Sequence, residues 1–173
     1  PEAYYFPQLD RMESLEVIKG TGSVKYGPRT TNGVLNLVTK PIPAGKQAAL
    51  ASEFGSHSSI RTGLTGGTSF EHGGFLLNAV HKEAEGFKEI DFVGGNTGYS
   101  TQDVIGKLRL NSGAGASRYQ EVELKLGWYN ERSNETYLGL TDADFAGKSN
   151  RRYAASQLDE MNVAARQLAA SHY

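Results

Sequence analysis

Apolar and polar residues alternate with a period of two along much of this chain. The clearest stretch is Glu121-Val122-Glu123-Leu124-Lys125-Leu126-Gly127-Trp128. Val122, Leu124, Leu126 and Trp128 share one side, and Glu121, Glu123 and Lys125 the other. A period of two belongs to a strand and cannot form one face of a helix. Asp103 to Leu110 repeats the pattern, with Val104, Leu108 and Leu110 opposing Asp103, Lys107 and Arg109. Ile60, Leu64 and Phe70 oppose Arg61, Thr65 and Ser69, and Leu50 and Phe54 oppose Gln47 and Glu53. The alternation blurs between Phe75 and Val80, where Asn78 is read as facing the polar side.

Residues 1–43 have a different texture. Met12 to Lys19 reads as a short strand ending at Gly20. Gly20-Thr21-Gly22-Ser23 and Tyr26-Gly27-Pro28 read as tight turns, because glycine reaches positive φ cheaply. Gly33 to Thr39 reads as a second strand, and Pro41-Ile42-Pro43-Ala44-Gly45 as a stiff connector that ends the unit.

Connection lengths after that boundary carry information. A short loop precedes residue 59, Glu71-His72-Gly73-Gly74 is a tight turn, and residues 84–101 hold a long loop. Residues 112–117 are short and 133–157 long again. Apart from the first loop, short and long alternate, as in an up-and-down membrane barrel with brief turns on one side and extended loops on the other. Tyr119 to Glu131 spans roughly 40 Å at about 3.3 Å per residue, enough to cross a hydrocarbon core of about 30 Å when tilted. Trp128 and Tyr129 then sit where aromatic girdles occur. Ala154 to Tyr173 favours helix by propensity.

Composition narrows the function classes. Lys+Arg is 18 and Asp+Glu 19, a net charge of -1, which argues against a nucleic-acid binder. There is no cysteine, so disulfides, Cys-ligated zinc and thiol nucleophiles are excluded. Mean hydropathy is -0.46, a value that barrel strands also give because their lumen side is polar. The chain begins Pro1-Glu2-Ala3, without the charged and apolar regions of a targeting segment.

Other chemistry is thin. Gly20-Thr21-Gly22-Ser23-Val24-Lys25 has Lys25 where a nucleotide-binding loop needs its third glycine. Thr141-Asp142-Ala143-Asp144 offers two carboxylates and reads as a solvated loop, with calcium as the minor option. His57, His72, His81 and His172 show no zinc spacing, and Asn134-Glu135-Thr136 is a chance glycosylation sequon. No catalytic constellation, cofactor site or metal site is expected, and no enzyme class applies.

Leu15 to Gly27, followed by Asn32-Gly33-Val34-Leu35-Asn36-Leu37-Val38-Thr39-Lys40, resembles the plug of TonB-dependent outer-membrane receptors. That family carries an "IEV-(L/I)-(R/K)-G" segment, a small-residue turn, "YG", and a "GGV-(I/L)-N-(L/I)-(V/I)-T-(K/R)" strand. Asn32 departs from the first glycine of the pair. Tyr5 to Met12, Tyr26-Gly27-Pro28, Ser133 to Asp142 and Arg151 to Gln157 look like receptors of the ferric-citrate type.

The resemblance implies an all-β chain. Residues 1–43 would be the last part of a plug, and 44–173 the first strands, about six, of an antiparallel barrel that does not close. Family barrels have about 22 strands, so the chain reads as a fragment of an importer. It would lack the segment that touches TonB, which works with ExbB–ExbD. Residues 154–173 become the sixth strand on this ground alone. The ligand implied is a ferric siderophore or ferric citrate, carried as cargo, in the outer membrane of a Gram-negative bacterium and in contact with its lipid. Cobalamin and glycans are alternative cargoes, and a soluble β-sandwich binding module is the alternative from another class.

Arg29, after Tyr26-Gly27-Pro28, is the leading ligand candidate, since a guanidinium can donate two parallel bonds to a carboxylate of the chelate; a plug–barrel salt bridge is the commoner role for an arginine placed there. Tyr26 accompanies it. Arg61, Lys107 and Arg109 are expected in the lumen, steering anions or pairing with plug carboxylates such as Glu13 or Glu16. Arg151 and Arg152 are expected in an outer loop, recruiting an anionic ligand.

Overall fold

The computed structural model describes residues 5–27 and 33–173. Its first unit is a hairpin. β1 (Met12–Ile18) pairs antiparallel with β2 (Val34–Thr39), Val17 opposite Leu35 and Ile18 opposite Val34. A 3-10 turn, Leu9–Arg11, leads into β1. The segment expected as a tight turn at Gly20 extends into a 3-10 helix, Gly20–Tyr26, entered through Gly20 at φ +73°.

The rest builds one antiparallel sheet from β3 (Gln47–Gly55), β4 (Ser59–Phe70), β5 (Gly73–Ala84), β7 (Tyr99–Asn111), β8 (Glu121–Asn134) and β10 (Glu160–His172). Each strand pairs with the next of these six in sequence, an up-and-down meander with β3 and β10 at its open edges. The strands of the ladder reach 14 residues in β8. Two-residue strands β6 (Glu89–Ile90) and β9 (Arg151–Arg152) pair in parallel between two long connections, and α1 (Asp142–Gly147) lies in the second of them. Residues 56–58 turn tightly, with His57 and Ser58 at φ +56° and +54°, the left-handed pair that suits a short hairpin loop.

The alternation read from the sequence becomes two faces. Registers of Leu64 with Ala79, Ala79 with Val104 and Val104 with Trp128 put those residues on one side. Leu50, Phe75, Leu108, Leu124, Leu126 and Leu168 join them, and the exposure of these large side chains runs from 38% at Leu124 to 76% at Leu168. An apolar surface this broad has no place in water; it suits a hydrocarbon neighbour. No second sheet covers it among the described residues, so a sandwich is not the architecture.

The other face meets the hairpin unit. Leu76, Val80, Ile105 and Tyr129 are buried there, with Tyr5 edge-on to Tyr129 at 4.9 Å between ring centres. Asn78 faces inward as expected and donates to Thr65 Oγ1 at 2.6 Å. Glycine creates the room for the connector: a Cβ on Gly74 would stand 2.8 Å from Ile42 Cγ2, and one on Gly67 would stand 2.9 Å from Pro43 Cδ. Ile42 is buried as a result.

Residues 160–172 form strand, not helix. Helix propensity separates these residue types by only a few tenths of a kcal/mol each. The register from Glu160 opposite Asn134 to His172 opposite Val122 is unbroken and outweighs it.

One buried ion pair holds the hairpin unit to the sheet. Arg11 Nη1 lies 2.9 Å from Asp103 Oδ1, and both side chains are nearly inaccessible, 3% and 2% exposed. Gln8 N also donates to Asp103 Oδ2 at 3.2 Å, and Arg11 Nη2 reaches Tyr5 Oη at 2.8 Å and Gln167 Oε1 at 3.3 Å. Removing either charge strands the other in a dry contact. Asp103→Ala or Arg11→Ala is expected to weaken docking of residues 5–12 by about 3 kcal/mol. Hydrogen exchange at those amides reads the loss, and the double change Arg11→Met/Asp103→Leu should recover most of it.

Candidate functional site

Inward-facing cations line the sheet where it meets the hairpin unit. Arg61 Nη1 donates to Glu53 Oε1 at 2.5 Å and its Nη2 to Asp10. Lys82 Nζ lies 2.7 Å from the other oxygen of Asp10 and donates to Gln8 Oε1 at 2.6 Å. The carboxylate that bridges two strands is therefore Asp10, and not Glu13 or Glu16. Asp10 sits in the 3-10 turn that packs on β5, whereas Glu16 is engaged across its own hairpin by Asn36 Nδ2 at 2.8 Å. Lys82 and Asp10 were missed by sequence reasoning. Extending the parity of Asn78 through Val80 would have placed Lys82 inward.

Lys107 Nζ reaches Thr39 O at 3.5 Å. Arg109 Nη2 donates to Ser69 Oγ at 2.8 Å, and its Nε stands 4.0 Å from Glu121. Both lie inward as expected, and both touch neutral acceptors first. Tyr26 closes the 3-10 helix, exposed, with Lys25 Nζ 4.8 Å over its ring. Arg29 lies outside the described residues.

The two long connections, residues 85–98 and 135–159, are knitted into one outer crown. Glu89 N donates to Asn150 O at 2.8 Å and Asp91 N to Arg152 O at 2.9 Å. Arg151 Nε donates to both oxygens of Asp91 at 3.0 and 2.8 Å, and its Nη1 to Asp144 Oδ1 at 2.5 Å. Its guanidinium also lies 4.9 Å from the centre of the Tyr153 ring. Lys148 Nζ sits 2.6 Å from Glu89. Arg152 is wholly buried and donates through Nη2 to Ser156 O and to Asp159 O at 3.2 Å. Arg151 is thus occupied in holding the crown together; Arg152 does so through Nη2 alone, its buried Nε and Nη1 having no hydrogen-bond partner among the described residues.

Thr141-Asp142-Ala143-Asp144 is not open loop. Thr141 caps α1 by accepting from Asp144 N at 3.2 Å. Tyr153 Oη donates to Asp144 Oδ2 at 2.5 Å. Among the described residues no group of three or more His, Asp or Glu side chains converges as a metal cage.

Beside this crown lies a hollow of about 600 Å³ lined by Phe87, Lys88, Leu138, Leu140, Phe145 and Arg151. A second, of about 400 Å³, shares Phe87, Lys88 and Thr136 and adds His57 and Tyr99. No sequence signal marked Phe87 or Lys88, because a loop has no period from which side-chain direction can be read.

The crown's ion pairs set a direction with pH. The Tyr153 and Thr141 hydroxyls, with Arg151, hold the Asp144 carboxyl below its ordinary range; Lys148 does the same for Glu89. A carboxyl with a lowered folded-state value gives its stabilisation fully above the ordinary range, and loses it as pH falls through the lowered value. Loop–loop pairing should therefore be unchanged from pH 7 to about 5 and loosen below about 4. Exchange rates of the Glu89 and Asp91 amides report it, and Asp144→Asn should bring the loosening to neutral pH.

Comparison with known proteins comes down to partial likenesses. No family model matches the chain, and no solved structure matches it. The chain is 32% identical over 96 residues to the vitamin B12 transporter BtuB of Vibrio vulnificus, a stretch that is 54% of this chain and 16% of that protein. It is 33% identical over 86 residues to the metal-pseudopaline receptor CntO of Pseudomonas aeruginosa, 48% of this chain and 12% of that receptor. The chain thus spans a small part of the length of either relative. One of these relatives is a transporter and the other a receptor, and each likeness covers about half of this chain.

Proposed function

We propose that this chain is part of a TonB-dependent outer-membrane importer, and that its cargo is a ferric chelate of the ferric-citrate kind. Residues 1–43 act as the end of the plug and 44–173 as the first barrel strands. The observation that carries the reading is the two-faced meander: apolar residues outward on every long strand, and charged residues inward against a hairpin held by Arg11 and Asp103. A sheet of that kind is at home only as barrel wall, with lipid outside and a plug within.

In this reading the chelate settles between the plug turn and the crown. Arg29 donates to its carboxylates and Tyr26 flanks it. Arg61 and Arg109 give the wall a positive character that draws an anion inward, although each has a partner of its own. Arg151 and Arg152 fix the crown that covers the ligand, and Lys88 at the hollow offers a cation of the right sign whose ammonium has no ion-pair partner among the described residues. TonB, powered by ExbB–ExbD and the proton gradient, then remodels the plug. The work is binding and passage, with no covalent step. The ferric-citrate assignment rests on the resemblance of residues 5–12, 26–28 and 133–142. The similarity to receptors for vitamin B12 and metal-pseudopaline favours, as the second reading, another chelate handled by the same wall.

Uptake of iron-labelled ferric citrate and of cobalt-labelled cobalamin by cells expressing the complete gene separates the two. Ferric citrate should be taken up in a TonB-dependent way, and Arg29→Ala should weaken its binding by about tenfold or more, the loss of a charge-assisted contact. Uptake of cobalamin with none of ferric citrate would move the assignment to the second reading. Uptake that persists without TonB would remove the importer assignment altogether.

A further inference from the structure

The two hollows beside the crown meet at one stretch of chain. Phe87, Lys88 and Thr136 line both, so the hollows of about 600 and 400 Å³ are two lobes of one groove. Its floor is on the inner side of the sheet. Ala84, Tyr99 and Ser133 pair across β5, β7 and β8 as the last row with the parity of buried Asp103, and all three line the smaller lobe. The groove thus opens toward the lumen, and no residue of the edge strands β3 and β10 lines it.

The lobes differ in chemistry. Phe87, Leu138, Leu140 and Phe145 stand around the larger one, and Phe87, Leu138 and Phe145 are 48% to 62% exposed. Two charged groups share that lining with Lys88. Arg151 is matched by Asp91 and Asp144, and Asp142 opens α1. Lys88, where the lobes join, is left as the cation whose ammonium has no ion-pair partner among the described residues.

Backbone contacts hold this lining in place. Thr97 Oγ1 accepts from Lys88 N at 3.2 Å and donates to Lys88 O at 3.0 Å, and Thr97 N donates to Glu85 O at 2.9 Å. Gly86, at φ +80°, lets the chain pass Thr97, where a Cβ would stand 2.6 Å away. Phe145 sits on α1, which is tied through Asp144 to Arg151 and Tyr153. Apolar side chains kept in water by a fixed frame mark a site prepared for an apolar ligand, since the cost of ordering them is already met.

We propose that the cargo is a carboxylate chelate bearing a flexible acyl arm. The arm lies in the larger lobe against Phe87, Leu138, Leu140 and Phe145, and a carboxylate meets Lys88 where the lobes join. A hollow of this size, with apolar walls and a single placed charge, has the usual lining of a small-molecule site. The ring beside Phe87 is that of His57, with 6.0 Å between centres, and it belongs to the other lobe. Among the described residues no pair of rings clasps the larger lobe, so its wall suits a chain better than a stacked ring. This inference names the class of cargo for the importer reading of the preceding section and rests on that reading.

The test uses cells that express the complete gene and lack TonB, so that bound radioiron reports the surface site without transport. The probes are ferric citrate and the ferric complexes of citrate monoamides with ethyl, butyl, hexyl and benzyl arms. Binding to cells without the gene is subtracted. From ethyl to hexyl, affinity should rise about two- to fourfold per methylene, up to what burial of one supplies. Phe145→Ser should flatten that rise. Lys88→Gln should weaken every alkyl amide by about five- to tenfold, and Lys88→Arg should recover part of the loss. Leu158→Ser, at an exposed leucine of the crown outside the groove, should keep the rise. Affinity independent of arm length overturns the inference, as does a rise that persists in Phe145→Ser. An equal flattening in Leu158→Ser reduces the effect to general stickiness and overturns the site. A benzyl arm that binds more tightly than hexyl overturns the acyl assignment. Uptake by cells that contain TonB separates the two readings. TonB-dependent uptake of ferric citrate, with no gain from any arm, sinks this inference alone. If no chelate of the series binds or enters above cells without the gene, the ferric-chelate reading falls with it.

Discussion

Every long strand after Pro43 has to satisfy two surroundings at once, and a paired backbone is what makes that possible. Successive side chains of a strand point to opposite sides. Once the ladder fixes the register, one set of residues is committed outward and the other inward, and a slip of one residue would exchange them. The unbroken registers from β3 to β10 hold that commitment across six strands. They also remove the backbone's own polar groups from the apolar side, where an unpaired N–H or C=O costs several kcal/mol.

Charge does on the inner face what apolar contact does elsewhere. The contact between hairpin unit and sheet has a modest apolar core of Leu76, Val80, Ile105 and Tyr129. Around it the joints are ionic: Arg11 with Asp103, and Asp10 between Arg61 and Lys82. Such joints are strong when complete and costly when half-made, so they specify position. They are also the kind of contact that separates into water without exposing a greasy surface. That suits the role of plug proposed above, in which the unit stays in place and yet is rearranged. The crown is built in the same manner, from Arg151, Asp91, Asp144, Lys148 and Glu89.

The strands were legible in the sequence because a period of two survives in the residue types. Asn78 was placed inward by parity alone, and Arg61, Lys107 and Arg109 likewise. β10 was not legible that way. Its alanines and glutamine favour helix, and only its partner β8 makes it a strand, an interaction no local window contains. Arg61 pairs with a carboxylate of residues 1–43 as expected, but which one was not legible, for a related reason. Glu13 and Glu16 lie in the more conspicuous pattern, but contact depends on where the 3-10 turn at Leu9–Arg11 packs, and that places Asp10. Arg151 and Arg152 were expected to reach for a ligand. Loop sequences carry no period, so nothing revealed that Asp91 lay across a second loop to meet Arg151.

The central claim is that the apolar side of this sheet faces lipid and the charged side faces water and plug. It is tested most directly by single spin labels at successive positions of β8, Val122 to Trp128, in the protein inserted in a bilayer. Accessibility is then read to oxygen, which concentrates in lipid, and to a water-soluble nickel chelate. The account predicts strict alternation: oxygen at Val122, Leu124, Leu126 and Trp128, and exclusion from lipid at Glu123, Lys125 and Gly127. Accessibility to the nickel chelate at all seven positions, or a repeat of three to four residues, would contradict it.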